Sequence, residues 1–168
     1  MFYNSPHVTL TQNTCVANLY SAAAFLYSCE NSICKNNSFT YQGNDVIVIE
    51  ENVGDKKKLE TFDCDYNNYG TALREQPQGT TFDTIAPRDT ESFLSGGSKA
   101  IVNYSEYRGQ GRRFVSMAEW REFSGLDLHT LFTDPLYLDS AARDFRLEPS
   151  SPNRNAGADG ATIGALRD

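Results

Sequence analysis

Residues 31–50 read NSICKNNSFTYQGNDVIVIE, three short runs that are rich in Ile, Val, Phe, Tyr and Thr. Asn, Gly or Asp ends each run, a pattern typical of short β-strands joined by tight corners. Residues 7–30 show the same pattern 24 residues earlier, so that Asn13 corresponds to Asn37 and Cys15 to Phe39. A weaker third copy, KLETFDCDYNNY, follows at residues 58–69. The pattern repeats although the letters differ, which predicts one structural unit per repeat.

A repeat of about 20–50 residues is typical of solenoid proteins, in which each unit buries its apolar face against its neighbours. Three short strands per repeat and the lack of a helical hydrophobic period favour a parallel β-helix over leucine-rich or helical repeats. The sequence therefore predicts an all-β solenoid with about 24 residues per coil. Asn13 and Asn37, at one corner, predict a ladder of stacked amides, because Asn tolerates left-handed backbone and its amide both donates and accepts. The alternative is two unrelated turn asparagines.

The C-terminal stretch, residues 134–166, reads DPLYLDSAARDFRLEPSSPNRNAGADGATIGAL. It resembles the closing coils of the right-handed parallel β-helix repeat proteins of the pectate-lyase-like superfamily. Those coils commonly end with a DP-aromatic strand, a D-aromatic-R-L strand, an SP turn, a small-residue-Gly turn and an I-G-A strand. The resemblance is loose over residues 2–69 and good over residues 117–166, and it implies a right-handed β-helix. The matching residues are Asp134-Pro135, Asp144-Phe145-Arg146-Leu147, Ser151-Pro152, Ala156-Gly157 and Ile163-Gly164-Ala165.

One β-helix domain is predicted for residues 1–168, with regular coils at 1–69, a long loop excursion at 70–99 and closing coils at 100–168. One short helix is predicted at residues 116–123, because Ser116 and Glu119 form a capping box and Gly125 supplies a stop. Phe2 and Tyr3 read as the last strand of an earlier coil, so upstream coils are expected to be lacking. An open end exposes apolar side chains and strand edges, and we expect a homo-oligomer joined through the N-terminal end.

Composition restricts the partners. Charged residues make up 22% of the chain and the net charge is −7, which argues against nucleic acid, whose phosphates require a basic surface. No apolar run is long enough to span a membrane, and residues 1–7 have no features of a signal peptide. The family resemblance implies an extracellular or cell-surface location. The four cysteines form no zinc motif and are predicted to be free thiols, with a Cys29–Cys34 disulfide as the alternative.

Two aspartates, Asp63 and Asp65, are candidate metal ligands. At positions i and i+2 of a strand they point to the same side, where they and neighbouring Asn oxygens suit Ca²⁺. The alternative is that Asp65 takes the place of the corner Asn in the ladder.

Two functions from different classes are predicted. The first is a β-helix module that recognises or processes carbohydrate, with a polysaccharide as its partner; if the chain is an enzyme, the resemblance implies a polysaccharide lyase or glycoside hydrolase. No catalytic constellation is identifiable, however, since neither histidine has a nucleophile motif beside it. The alternative is a non-catalytic structural or assembly domain, the terminal part of a longer solenoid. The candidate substrate-binding residues are aromatic or basic: Tyr66, Tyr69, Tyr104, Tyr107, Arg108 and Arg113.

Overall fold

A computed structural model describes residues 1–16, 21–40, 45–51, 57–70, 101–106, 111–114 and 116–165. Within these ranges the chain forms short strands, two α-helices and a 3₁₀ turn. The strands are β1 (Phe2–Tyr3), β2 (Thr9–Thr11), β3 (Thr14–Val16), β4 (Ala23–Leu26), β5 (Ile33–Lys35), β6 (Ser38–Thr40), β7 (Ile47–Glu51), β8 (Asp63–Asp65), β9 (Val102–Glu106), β10 (Arg112–Phe114), β11 (Tyr137–Asp139) and β12 (Asp144–Leu147). Helix α1 is Lys57–Thr61, helix α2 is Met117–Ser124 and the 3₁₀ turn is Ala158–Gly160.

The strands form four sheets. The largest has the order β1-β4-β7-β9-β10, a second has the order β2-β5-β8, and β3-β6 and β11-β12 form two-stranded sheets. Strands that are one repeat apart lie side by side, and we call the strands of one repeat a layer. In the first two layers the neighbouring strands are parallel and in register, so Thr9 lies beside Ile33 and Thr14 beside Ser38. Both offsets are 24 residues, the interval of the repeat in the sequence.

The prediction of a right-handed parallel β-helix is wrong. The described strands lie in several small separate sheets, and no closed solenoid is present among the described residues. The 24-residue interval fails after the first layers: helix α1 precedes β8, and Ile33 pairs with Asp63, 30 residues further on. Strand β10 pairs antiparallel with β9, and β11 pairs antiparallel with β12. The predicted closing coils are therefore replaced by an antiparallel pair, because these strands are joined by a short turn.

The core lies between the sheets and under helix α2. In β7 alternate residues point inward: Ile47 and Ile49 are buried and Val48 is partly exposed. In β5 and β8 the central residues, Cys34 and Cys64, are buried. All four cysteines are free thiols, so the alternative Cys29–Cys34 disulfide is absent. The largest fully buried side chains are Trp120, Tyr69, Phe25, Phe39, Phe114, Ile47, Ile49, Ile101 and Ile163.

An amide ladder connects the layers at one corner. Asn13 Nδ2 donates to Asn37 Oδ1 at 3.0 Å, and Asn37 Nδ2 donates to Asn67 Oδ1 at 3.0 Å. The ladder thus has a third member, Asn67, which the sequence comparison did not include. The ladder asparagines do not have left-handed backbone. The residue before each of them does, namely Gln12 (φ 56°), Asn36 (φ 58°) and Tyr66 (φ 54°). The ladder asparagines therefore stabilise the corner through their side chains, while their neighbours make the turn.

Helix α2 starts one residue after the predicted start, residue 116, and ends at Ser124. Ser116 is its N-cap and accepts a hydrogen bond from Glu119 N, and Gly125 ends it with φ 71° while its N–H donates to Arg121 O. The helix buries Met117 and Trp120. The predicted loop excursion at 70–99 lies outside the described residues, apart from Gly70. No helix in the described part of the chain has the length and hydrophobicity needed to cross a membrane.

Replacing Ser116 by alanine is expected to lower the free energy of unfolding by about 1 kcal/mol, because the N-cap hydroxyl is removed from the first turn of α2. Urea denaturation followed by tryptophan fluorescence measures the change, since Trp120 lies in this helix. The matched control is Ser150→Ala: Ser150 is exposed, and within the described part of the chain its hydroxyl bonds the side chain of Glu148 alone, so a change near zero is expected. Equal shifts for the two variants would show that the cap contributes nothing.

Candidate functional site

A buried polar cluster lies between helix α2 and the end of the three-stranded sheet. The Asp127 carboxylate accepts hydrogen bonds from Tyr69 Oη at 2.9 Å, Trp120 Nε1 at 2.8 Å and Thr130 Oγ1 at 2.6 Å. The Cys64 thiol donates to the same carboxylate at 3.6 Å. Asp127 is only 1% exposed, and desolvation by burial raises the pKa of its carboxyl, while these four donors lower it in part. Because the cluster is closed to solvent, a substrate has no access to it. Its hydrogen bonds hold the surrounding elements in place.

The backbone around Asp127 is fixed by the same region. Asp127 N donates to Cys64 O at 2.8 Å, and Arg121 Nε donates to Asp127 O at 2.7 Å. Arg121 Nη2 reaches Thr130 O at 2.6 Å. Burial also raises the pKa of the Cys64 thiol and the Tyr69 phenol well above their usual values, so both stay neutral donors. The cluster joins α2, β8 and the following loop into one unit.

A second arrangement lies on the outer surface, where the side chain of His129 is 58% exposed and that of Asp65 is 16% exposed. His129 Nδ1 lies 2.7 Å from Asp65 Oδ2, and His129 N donates to Asp65 Oδ1 at 2.7 Å. The Tyr66 ring stacks on the His129 imidazole, with 4.7 Å between ring centroids and 8° between planes. Because a carboxylate oxygen only accepts, Nδ1 carries the proton in this contact, and Nε2 points away from Asp65. We call the hydrogen-bonded pair of Asp65 and His129, together with the stacked Tyr66, the dyad site.

Strand pairing positions the dyad site beside an ion pair. Asp65 ends β8 and lies next to Lys35 of β5. Lys35 Nζ in turn lies 2.6 Å from Asp63 Oδ2. Asp63 and Asp65 share the outer face, since Cys64 between them is buried, as predicted from their spacing. The outer surface of the three-stranded sheet thus carries two acids, a lysine and a histidine next to a stacked aromatic ring.

The predicted Ca²⁺ ligands Asp63 and Asp65 each have other partners, Lys35 and His129. Among the described residues there is no group of three or more His, Cys, Asp or Glu placed to hold a metal ion. The alternative, that Asp65 replaces the corner Asn in the ladder, is wrong, because Asn67 occupies the ladder position. Asp65 instead accepts a hydrogen bond from Tyr66 N at 2.8 Å within the turn.

The predicted sugar-binding tyrosines do not converge. Tyr69 is fully buried and donates to Asp127, and Tyr104 is 4% exposed and packs against Phe123. Tyr66 is part of the dyad site and follows β8 of the three-stranded sheet, whereas Tyr104 lies in β9 of the five-stranded sheet. Arg113 lies on β10 of the five-stranded sheet, next to Asn103. Two further candidates, Tyr107 and Arg108, lie outside the described residues.

Sequence reasoning missed His129 as a partner of Asp65. The two residues are 64 positions apart, and nothing in either local sequence indicates the contact. It also missed Asp127 as the centre of the buried cluster, because a single Asp in the sequence GLDLHT reads as a turn residue. Comparisons with family models, with curated proteins and with solved structures found no match. The resemblance to the pectate-lyase-like proteins therefore stays a prediction.

Proposed function

We propose that this chain recognises a carbohydrate on the outer surface of the three-stranded sheet, with the dyad site as the main contact. The observation that supports this proposal is the geometry of Asp65, Tyr66 and His129: an oriented imidazole, its carboxylate partner and a stacked aromatic ring on one exposed surface. Carbohydrate recognition uses a few fixed polar groups, which bond hydroxyls, and aromatic surface, which contacts the apolar face of the sugar ring.

Each group has a defined role in this proposal. His129 Nε2 bonds a sugar hydroxyl, which can donate or accept, because Nδ1 is already engaged with Asp65. Asp65 fixes the ring through two contacts, one to the imidazole and one to the backbone N–H of His129. This fixation lowers the conformational entropy lost when a ligand binds. The outer face of the imidazole, backed by Tyr66, provides the apolar contact.

These contacts support recognition more strongly than processing. A glycoside hydrolase needs two carboxyl groups that flank the scissile bond, one of them free to give a proton. In the dyad region Asp63 is paired with Lys35 and Asp65 with His129, so both carboxylates are already engaged with basic side chains. The dyad site is thus arranged to bind hydroxyl groups.

Replacing His129 by alanine is expected to weaken glycan binding at least about tenfold, since one hydrogen bond and one ring contact are lost. A glycan array identifies the ligand, and isothermal titration calorimetry then measures the dissociation constant. The matched control is His7→Ala, which removes the other histidine. His7 is exposed and precedes β2, which is separated from β8 by β5, so the affinity is expected to stay unchanged. Failure of the wild-type chain to bind any glycan, with or without Ca²⁺, would refute the proposal, as would equal losses in the two variants.

A further inference from the structure

The turn at residues 127–130 carries His129 on buried supports. Thr130 N donates to Asp127 O at 3.3 Å, which closes a β-turn with Leu128 and His129 as its two central residues. Asp127 and Thr130, at the two ends of the turn, are buried, whereas Leu128 and His129 are exposed. The groups that hold the two buried ends therefore determine where the exposed imidazole lies.

On one side the turn stacks on β8 and on the corner that follows it. The two partners in these contacts are 63 residues apart in the sequence, so the turn lies in register with the third layer. The contacts are Asp127 N with Cys64 O, the His129 ring with the Tyr66 ring, and Asn67 N with Thr130 Oγ1.

On the other side a single arginine of helix α2 holds both ends of the turn. Arg121 Nε donates to Asp127 O at 2.7 Å, and Arg121 Nη2 donates to Thr130 O at 2.6 Å. Because a guanidinium group is planar and its donors have fixed directions, two such bonds fix the carbonyls relative to each other. The arginine is itself anchored, since it lies in the last turn of α2, where Gly125 N donates to its carbonyl at 2.8 Å.

From these contacts we infer that Arg121 is a positioning residue for the dyad site, a role that rests on the carbohydrate site proposed above. Arg121 acts through the backbone of the turn: it holds the two ends so that His129 Nδ1 stays at Asp65 Oδ2 and the imidazole stays on Tyr66. Without the guanidinium group, the turn keeps only its contacts with the sheet, and the imidazole leaves Asp65 for part of the time. A ligand that needs the fixed imidazole then binds more weakly, in proportion to the fraction of molecules that still have it.

The experiment records the imidazole nitrogens of His129 by proton–nitrogen NMR in the wild type and in Arg121→Met, which removes the guanidinium group and keeps an unbranched side chain. The chain has two histidines, so the exposed His7 serves as an internal reference, and His7→Ala assigns the signals. In Arg121→Met the His129 signals are expected to move towards those of His7 by at least about half of the difference seen in the wild type, because released and fixed imidazoles average.

Two further variants control this comparison. Arg146→Met is the matched control: Arg146 lies in β12 and its guanidinium group bonds Asp144 of the same strand, so the His129 signals are expected to stay unchanged. Arg121→Lys keeps the charge but lacks the planar fork, and its signals are expected to lie between those of the wild type and Arg121→Met. Thermal melting verifies that each variant is folded, and Arg121→Lys replaces Arg121→Met in the comparison if the latter is unfolded.

Unchanged His129 signals in the folded Arg121 variant overturn the inference, and a lowered melting temperature together with unchanged signals assigns Arg121 a structural role alone. Equal changes in Arg146→Met overturn it as well. The glycan dissociation constant is expected to rise at least about threefold in Arg121→Met, and moved signals without any loss of affinity contradict the positioning role. A wild type that binds no glycan refutes the proposed carbohydrate site, whereas the NMR signals still decide whether Arg121 fixes the imidazole.

Discussion

Asp127→Ala is expected to lower the free energy of unfolding by about 4 kcal/mol, the largest effect of any substitution proposed for this chain. The substitution removes the acceptor of Tyr69 Oη, Trp120 Nε1 and Thr130 Oγ1, all of which are buried. A buried donor without an acceptor costs about 1–3 kcal/mol, and the sum is reduced because neighbours in one network do not add independently. Urea denaturation, followed by tryptophan fluorescence and circular dichroism, measures the loss.

Two further variants make this result interpretable. Asp127 has a left-handed backbone, with φ 56°, which Ala disfavours, whereas Asn tolerates it. Asp127→Asn keeps one acceptor oxygen and is expected to lie between Asp127→Ala and the wild type. Asp63→Ala is the surface control, since Asp63 is about half exposed and its one ion pair with a described residue is to Lys35; the expected loss of stability is under about 1 kcal/mol. Similar losses for Asp127→Ala and Asp63→Ala would contradict the role assigned to the cluster.

The pH dependence of the same variants tests the burial of the carboxyl. Burial raises the pKa of Asp127 above 3.8 in the folded state, so the folded protein holds this proton more tightly than the unfolded chain does. The stability from this group is thus fully present below the unfolded pKa and is lost as the pH rises through the raised folded pKa. Relative to Asp127→Asn, the wild type is expected to gain stability when the pH is lowered from neutral towards the unfolded pKa. A relative loss on acidification would show that the donors outweigh burial.

Local patterns predicted the local structure of this chain well. The 24-residue interval identified strand pairs that are in register, such as Thr9 with Ile33, because equal spacing of strands and corners lets equivalent residues stack. Capping chemistry located α2 to within one residue, since the hydroxyl of Ser116 and the conformational freedom of Gly125 act within a single turn. The contact of Asn13 with Asn37 followed from the same interval.

Relations between distant segments were not predictable in the same way. The family-like motifs around Tyr137 and Leu147 describe two strands but do not determine what each pairs with, and in the structure they pair antiparallel with each other. The contact between Asp65 and His129 depends on the loop at 126–131 folding back over β8, which in turn depends on the burial of Asp127 and Trp120. Burial of one carboxylate by four donors from two segments, residues 64–69 and 120–130, leaves no periodic trace in the sequence. The fold class and the dyad site were missed because both depend on contacts between segments that are distant in the sequence.

Replacing Asn37 by alanine is expected to lower the free energy of unfolding by about 3 kcal/mol, whereas Asn13→Ala costs about 1 kcal/mol. Asn37 is fully buried in the middle of the ladder. Its Nδ2 donates to Leu10 O and Asn67 Oδ1, and its Oδ1 accepts from Asn13. Truncation therefore leaves buried groups in two adjacent layers without partners, and it also opens a small cavity beneath the corner.

Asn13 is the matched control because it has the same side chain at the same corner, one layer earlier in the chain. It is only partly buried, so water replaces the partners that its truncation removes, and Asn37 Oδ1 still accepts the backbone N–H of residue 13. Urea denaturation of both variants at one protein concentration gives the difference directly. Equal costs for the two variants would contradict the prediction that burial sets the contribution of each ladder amide.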